Sequence, residues 1–465
     1  MEIKFGTDGW RGVIAQDFTF ENLGKVALAT ALHYKSNKKI KNGIVIGYDG
    51  RFLGKEFAEY VALVLANNNI KVHISDKISS TPMVSLLTKK MNAAAGVIIT
   101  ASHNPPRYSG YKLKADYGGP ALPETISKVE NKLRLIMNSG RSIQLKKDLN
   151  ELQKVNFIKY IDMSKIYIDD IKKKFDLKKL ESSGLKILHD SMYGAGMNIL
   201  TTLLPSAKQI HAEFNPSFAG VNPEPIEQNL SELKQKVVSE KFDLGFATDG
   251  DADRIGVVDE KGNYVDPHRV FSLLLKYLVE EKKLKGEVAR SFTVTDIVEK
   301  QCEKYKIKLH TTPVGFKYIC ELMNERKIIL GGEESGGLGV YGHIPERDGI
   351  YLALLIAEII INRQKSLSDL VHELEDEYGK RYYKRIDQHI TTKEKEKIMR
   401  KFTPTLREIG GYVVNRIETI DGYKYYIKNG WLLVRPSGTE PLIRYYAETD
   451  SLNKTEYLLN WAMGK

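Results

Sequence analysis

Short apolar runs recur along this chain, each stopping at a cluster of glycine, proline, serine or aspartate. Gly43 to Tyr48 is one such run. It ends at Asp49-Gly50-Arg51 and gives way to a helical stretch, Glu56 to Asn67, and then to a second run, Ile70 to Ser75. Leu185 to His189 repeats the order, followed by Asp190-Ser191-Met192-Tyr193-Gly194-Ala195-Gly196, a helical stretch and Ile210 to Phe214. Glu287 to Phe292 opens a third copy, with Thr293-Val294-Thr295-Asp296, a helix through Tyr305 and a run from Lys308 to Thr311. Strand, polar turn, helix, strand is the pattern of βαβ units in a parallel or mixed sheet.

After about Glu375 the alternation is lost. Tyr378 to Lys384 is dense in tyrosine and base, and short strand-like runs surround Val413-Val414, Tyr425 to Lys428 and Trp431 to Val434. At 465 residues the chain exceeds one core. The pattern predicts an α/β protein: three similar mixed-sheet α/β domains (1–150, 151–262, 263–375) plus a smaller C-terminal α+β domain (376–465), with a linker near residues 375 to 382.

One apolar run changes the picture from fold to chemistry. Ala94 to Ile99 stops at Thr100-Ala101-Ser102-His103-Asn104 and is barred from continuing by Pro105 and Pro106, which lack an N–H and bias the preceding residue away from helix. Ser102 is therefore predicted on a rigid loop just beyond a strand end, where open α/β sheets put their ligands. A polar turn decorated with Ser and Asn is the alternative.

Three further loops follow apolar runs in the same way. Asp249-Gly250-Asp251-Ala252-Asp253-Arg254 lies between Phe242 to Ala247 and Ile255 to Val258. Alternate side chains share one side of an extended backbone, so three carboxylates converge and call for a hard cation, Mg²⁺ or Mn²⁺; a purely structural aspartate turn is the alternative, costly between two buried strands. A calcium loop is excluded because Arg254 stands where that loop demands glycine and strands flank it where helices should. Gly331-Gly332-Glu333-Glu334-Ser335-Gly336-Gly337 follows Lys327 to Leu330 and suits a polyol, or is a flexible turn. Arg435-Pro436-Ser437-Gly438-Thr439-Glu440-Pro441 follows Leu432 to Val434 and suits a phosphate, or is a proline-bounded surface turn.

Weaker signals complete the set. Thr312-Pro313-Val314-Gly315-Phe316-Lys317 reads as a lid, a specificity loop or a plain connection. Phe5-Gly6-Thr7-Asp8-Gly9-Trp10-Arg11-Gly12 is a glycine-rich loop with Arg11 placed to meet an anion, or a plain turn. Gly194-Ala195-Gly196 lacks the remainder of a dinucleotide fingerprint and reads as a tight turn into a helix. Asn215 to Pro225, with three prolines, reads as an ordered loop.

Composition narrows the class. Apolar residues make up 42% and charged ones 28%, as in ordinary globular proteins. The net charge of +11 comes from dispersed lysines with acidic neighbours rather than an arginine-rich stripe. That argues against nucleic acid and for small anions. Cys302 and Cys320 have no zinc spacing and cannot staple a chain this long, which points to a reducing compartment. The start has no basic region followed by an apolar one, and Ile350 to Ile361, interrupted by Glu358, is too short to span a bilayer. A cytoplasmic protein without a membrane is expected. Together the loops supply a nucleophile, a metal, a hydroxyl binder and a phosphate binder, the parts for phosphoryl transfer to a sugar phosphate.

In order and spacing these four motifs resemble those of the α-D-phosphohexomutase family, and the likeness spans essentially the whole chain. The resemblance implies four domains around a central cleft. It implies a phosphoserine at Ser102 and Mg²⁺ held by its phosphate with Asp249, Asp251 and Asp253. By the same resemblance, Glu333 and Ser335 bind sugar hydroxyls, with Gly315 and Lys317 beside them. Arg435, Ser437, Gly438 and Thr439 then bind the phosphate that is not transferred, and Arg11, Arg254 and His103 line the transfer site. Lys112, in Ser109-Gly110-Tyr111-Lys112, matches the family lysine proposed as general acid/base. To act as a base it needs a depressed pKa, which neighbouring arginines would promote; a solvated surface lysine is the plain alternative.

Some family members carry a histidine where this chain has Gly337. The implied reaction interconverts hexose 1-phosphate and hexose 6-phosphate through a hexose 1,6-bisphosphate intermediate. Glucose is favoured by Gly315-Phe316-Lys317 with Glu333-Glu334-Ser335, and mannose comes second. Phosphoglucosamine mutase is the alternative, and a metal-dependent serine phosphatase a more distant one. The implied partners are small sugar phosphates, for a monomer or homodimer.

Overall fold

The structure, a computed structural model, describes residues 3–6, 9–140, 142–437 and 442–464. Among the described residues four large sheets and one two-stranded pair, Glu408–Ile409 with Tyr412–Val413, organise the fold. The first has six strands, from the edge Trp10–Val13, Tyr108–Ala115, Ala95–Ile99, Ile44–Tyr48, Val72–Ser75 and Ile158–Ile161. The last four of these run parallel, and Tyr108–Ala115 runs antiparallel to both of its neighbours. Strand Ile158–Ile161 closes this sheet beyond the boundary expected at residue 150. Ile44–Tyr48 and Ala95–Ile99 are buried at every position, as parallel strands covered on both faces should be.

The second sheet centres on the parallel pair Ile187–Asp190 and Leu244–Thr248, with Ile255–Asp259 antiparallel beside the latter. Its edge strand is Lys208–Ile210 rather than Ile210 to Phe214. His211 sits at φ 49°, outside the strand region, and turns the chain away. The third sheet places Glu287–Ser291 between Leu309–Thr312 and Ile328–Gly332, all parallel, with Leu338–Val340 antiparallel at the edge. The fourth is wholly antiparallel: Tyr382–His389, Leu442–Thr449, Gly430–Pro436, Tyr423–Ile427 and Arg416–Glu418.

The expected linker at 375 to 382 is shorter in the structure. Helix Leu367–Tyr378 runs through its first half, Gly379 at φ 83° ends that helix, and the fourth sheet begins at Tyr382. The apolar segment near residue 350 is a buried helix, Gly349–Arg363, capped by the Asp348 side chain. Its Glu358 pairs with Lys282 at 2.7 Å. Both cysteines are buried and unbridged. Among the described residues no helix is long and apolar enough to cross a membrane.

Candidate active site

The four parallel strands of the first sheet end on one edge, and Ser102 lies just past one of them. Its backbone is left-handed, φ 52°, a conformation that costs a non-glycine residue and persists only where surroundings enforce it. They do so here. The Ser102 N–H donates to Thr100 Oγ1 at 2.8 Å, and Thr100 Oγ1 in turn donates to Asp49 at 2.5 Å. Asp49 also pairs with Arg51 at 3.1 Å. Asp49 and Arg51, read from sequence only as a turn, are thus part of the support under Ser102.

Across the domain boundary, Ser102 Oγ donates to Asp249 Oδ2 at 2.8 Å. This closeness requires glycine. A Cβ on Gly250 would lie 2.5 Å from the Ser102 carbonyl oxygen, and one on Gly194 would lie 2.7 Å from that of Asp249. The Gly194-Ala195-Gly196 turn is therefore the bed of the aspartate loop, and Ala195 N–H donates to Gly250 O at 2.9 Å.

The three aspartates are fully buried and converge, each offering one oxygen within 4.8 Å of the others. Asp249 Oδ1 accepts the N–H groups of Asp253 (2.9 Å) and Arg254 (3.1 Å). Asp251 Oδ2 accepts Thr81 Oγ1 at 2.5 Å and Lys112 Nζ at 2.8 Å. Arg347 reaches Asp253 Oδ2 at 2.6 Å. Asp251 Oδ1 and Asp253 Oδ1, by contrast, are buried without a hydrogen-bond partner among the described residues. Burial and the two neighbouring carboxylates push the Asp249 carboxyl well above its ordinary range; for Asp251 burial acts the same way, but Lys112, the Thr81 hydroxyl and Arg347 together outweigh it and hold the carboxyl low. Clustered carboxylates with orphaned oxygens fit a hard divalent cation such as Mg²⁺.

Lys112 is not a surface residue. It is 1% exposed, and its Nζ lies 2.8 Å from Asp251 and 3.4 Å from Asp253. The neighbours its Nζ meets at these distances are carboxylates rather than the arginines expected from the sequence. Arg11 Nη1 donates to Asn104 Oδ1, in the serine loop, at 2.5 Å. His103 Nδ1 stands 3.5 Å from Ser102 Oγ. Burial, then Arg254, Arg11 and Lys112, push its pKa well down, so the ring is neutral. Arg254 lies 4.0 Å from Asp253 and 3.7 Å from Glu224 in the proline-rich loop.

The glycine-rich loop of the third domain packs on the aspartate loop through Gly336. Its φ is +82°, and a Cβ there would lie 2.3 Å from Ile255 O. Glu333 Oε1 accepts Gly315 N–H at 2.8 Å, which brings two of the expected sugar-site residues together. Burial and Glu334 push the Glu333 carboxyl up to about 7. Ser335 is half-buried beside them. Lys317 is directed elsewhere, lining a cavity of about 160 Å³ with Phe5, Gly9 and Glu130.

Arg347 escaped the sequence reading entirely. It runs beneath Gly337, where a Cβ would lie 2.4 Å from its Cδ, and its guanidinium stacks on Phe316, 5.2 Å from the ring centroid. The bare Gly337 is the signal that could have found it.

In the fourth domain Arg435 pairs with Asp421 at 2.8 Å, and Asp421 also accepts Val314 N–H at 3.0 Å, tying this domain to the 312–317 loop. Ser437 is buried, its N–H donating to Leu442 O at 3.0 Å and its carbonyl accepting Lys395 at 3.0 Å. Gly438 and Thr439 lie outside the described residues. Arg444, also missed from sequence, stands opposite Arg435 on the neighbouring strand.

Four family models match the chain in sequence order: phosphoglucomutase/phosphomannomutase α/β/α domain I over residues 2–139, domain II over 165–262, domain III over 266–378 and the C-terminal domain over 384–460. A phosphoglucomutase/phosphomannomutase of Thermococcus kodakarensis is 30% identical over 459 residues, covering 98% of this chain and 96% of that protein. A phosphoglucosamine mutase of Carboxydothermus hydrogenoformans is also 30% identical, over 463 residues, covering 98% and 97%. Among solved structures, a candidate phosphomannomutase of Thermus thermophilus superposes with a TM-score of 0.87 at 33% identity, covering 100% of this chain and 99% of that one.

Proposed function

Because the chain belongs to the phosphoglucomutase/phosphomannomutase family and is a mutase, we propose that it interconverts hexose 1-phosphate and hexose 6-phosphate with Ser102 as the phosphoryl carrier. The observation carrying this reading is the 2.8 Å approach of Ser102 Oγ to Asp249, beside Asp251 Oδ1 and Asp253 Oδ1, which have no hydrogen-bond partner among the described residues. In the first step the sugar O6 attacks the phosphorus of phosphoserine. The O6–P bond forms, the P–Oγ bond breaks and the O6 proton leaves to a base. In the second, Ser102 Oγ attacks the C1 phosphate, the O1–P bond breaks and O1 takes up a proton.

Asp249, Asp251 and Asp253 would hold Mg²⁺, which when bound supplies neutralisation of phosphate charge. Lys112, with its N–H groups on two of those carboxylates, serves as a proton donor and charge partner rather than as the base. Glu333 and Ser335 orient sugar hydroxyls, Gly315 fixes the Glu333 carboxylate, and Arg435 and Ser437 hold the resting phosphate.

Relatives at equal identity carry the names of glucose/mannose and of glucosamine mutases. The glucose preference expected from the sequence therefore stands beside glucosamine, and a panel of the hexose phosphates run in parallel decides between them. The test of the carrier is Ser102→Ala. Turnover and phosphate incorporation at this residue should both vanish with the fold intact; a variant that isomerises at the wild-type rate refutes the reading. Release of inorganic phosphate faster than appearance of hexose 6-phosphate would favour a phosphatase instead.

A further inference from the structure

We propose that Arg51 is the positioning residue of the phosphoryl-carrying loop, an inference that rests on the role proposed for Ser102. The loop from Ser102 to Arg107 contains two prolines and has left the sheet, so the carbonyls of Ser102 and Asn104 have no ladder to join. One guanidinium supplies their donors, and also reaches Pro105 O, which accepts the Tyr108 N–H at 3.0 Å as well, and Tyr108 O at the start of the next strand. Arg51 Nη2 donates to Ser102 O at 2.6 Å and to Asn104 O at 2.8 Å; Nη1 donates to Pro105 O at 3.0 Å and to Tyr108 O at 2.9 Å. Nε donates to Asp49 Oδ2 at 3.1 Å, so all five N–H groups are used.

The clamp is itself immobilised. The side chains of Arg51 and Asp49 are both 0% exposed, and the guanidinium lies 5.0 Å from the Phe218 ring of the second domain. Asp49 extends the support through Thr100 Oγ1 to the Ser102 N–H. Both the amide and the carbonyl of Ser102, held at φ 52°, are thus fixed by a set of groups converging on one arginine. These bonds all lie within the first domain, away from the loops assigned to the sugar and the resting phosphate. Arg51 should therefore govern where Oγ stands and leave substrate affinity alone. Only a planar fork reaches four carbonyls at once, so a lysine is no substitute.

The experiment compares wild-type enzyme with Arg51→Ala and Arg51→Lys. It measures phosphate on Ser102 by intact mass, melting temperature, kcat and KM for hexose 1-phosphate, and single-turnover loss of the phosphoserine label, each with and without methylguanidinium. A cavity of about 1130 Å³ borders Arg51, the side from which methylguanidinium is offered to the vacated slot. For Arg51→Ala, kcat and the single-turnover rate should fall on the order of a hundredfold, the scale of a 1 Å misplacement, with KM within about threefold of wild type. Methylguanidinium should restore at least about tenfold, saturably, and leave wild type unchanged.

If Arg51→Ala does not fold, Arg51→Lys, which keeps a cation beside Asp49, should still lose about tenfold in kcat at unchanged KM. Wild-type kcat in a folded variant, or a loss residing in KM, overturns the proposal. A wild-type enzyme that never carries phosphate on Ser102 overturns the underlying mechanism instead, and so separates the two failures.

Discussion

Glu333 offers a sharp test because it is a buried acid whose proton affinity the fold has raised. Burial first, then the Glu334 charge, move its carboxyl from 4.5 to about 7. Below pH 4.5 the group is protonated in both folded and unfolded chains and costs nothing. As pH rises from 4.5 to about 7, the unfolded chain releases this proton while the folded chain keeps it, so stability falls. At 1.36 kcal/mol per tenfold change in proton affinity, the loss by pH 8 is about 3 kcal/mol. Glu333→Gln removes the titration while its amide oxygen still accepts the Gly315 N–H.

The variant should therefore match wild type at about pH 4.5–5 and exceed it at about pH 8.5. At roughly 4 °C per kcal/mol for a domain of about a hundred residues, the gain is up to about 12 °C. Thermal scans of both proteins across that range, without sugar phosphate, measure the gap. A gap that is the same at both ends of the range, or that closes as pH rises, refutes the reasoning. Sugar-phosphate affinity should move oppositely: wild type binds more tightly as Glu333 ionises through about pH 7, and Glu333→Gln loses that rise.

Chelation of divalent metal should abolish turnover, with Mg²⁺ restoring it, and Asp251→Asn should weaken the restoring response at least about tenfold; unchanged activity after exhaustive chelation would remove the metal from the reading. Arg435→Ala should raise KM for hexose 1-phosphate about tenfold or more while phosphate on Ser102 persists, and an unaltered KM would move the clamp elsewhere. Gly337→Ala should displace Arg347 from Asp253, because a Cβ there meets Arg347 Cδ at 2.4 Å; turnover should drop about tenfold, and an Arg347→Ala background should show no further loss on adding Gly337→Ala.

The fold was legible where periodicity and turn chemistry agreed. The buried strands Ile44–Tyr48 and Ala95–Ile99 lie within a residue of the apolar runs that predict them. Ser102 and the three aspartates announce themselves because a strand stops abruptly at chemistry. Three kinds of feature escaped. Arg51, Thr81 and Arg347 act through contacts with residues distant in the chain, and no local pattern reports such a contact. Lys112 lies in a strand of ordinary polarity, and its burial depends on which sheet edge the second domain covers. The strand expected to reach Phe214 ends at Ile210 because His211 adopts a left-handed backbone, which its residue type does not demand. The glycines were the missed clue: Gly194, Gly250 and Gly337 each mark a place where another chain segment passes too close for a side chain.

Those glycines also divide the molecule's seams into two kinds. The seams joining the serine, aspartate and glycine-rich loops close backbone against backbone at Gly250 and Gly336. The fourth domain is attached differently, by Phe292 packed among Tyr426, Trp431, Leu433 and Tyr446, by the buried Lys424 ammonium donating to Phe292 O at 2.8 Å, and by ion pairs nearer the surface such as Arg416–Glu299 at 2.7 Å. Where a glycine closes such a seam there is no room for a side chain and none for gradual change. The exposed ion pairs at the rim of the fourth domain weaken with ionic strength and can exchange partners one residue at a time. Drift in such a protein is therefore channelled: the three loops that assemble the reacting centre must change together or stay as they are, while the attachment of the phosphate-holding domain can be retuned piecemeal.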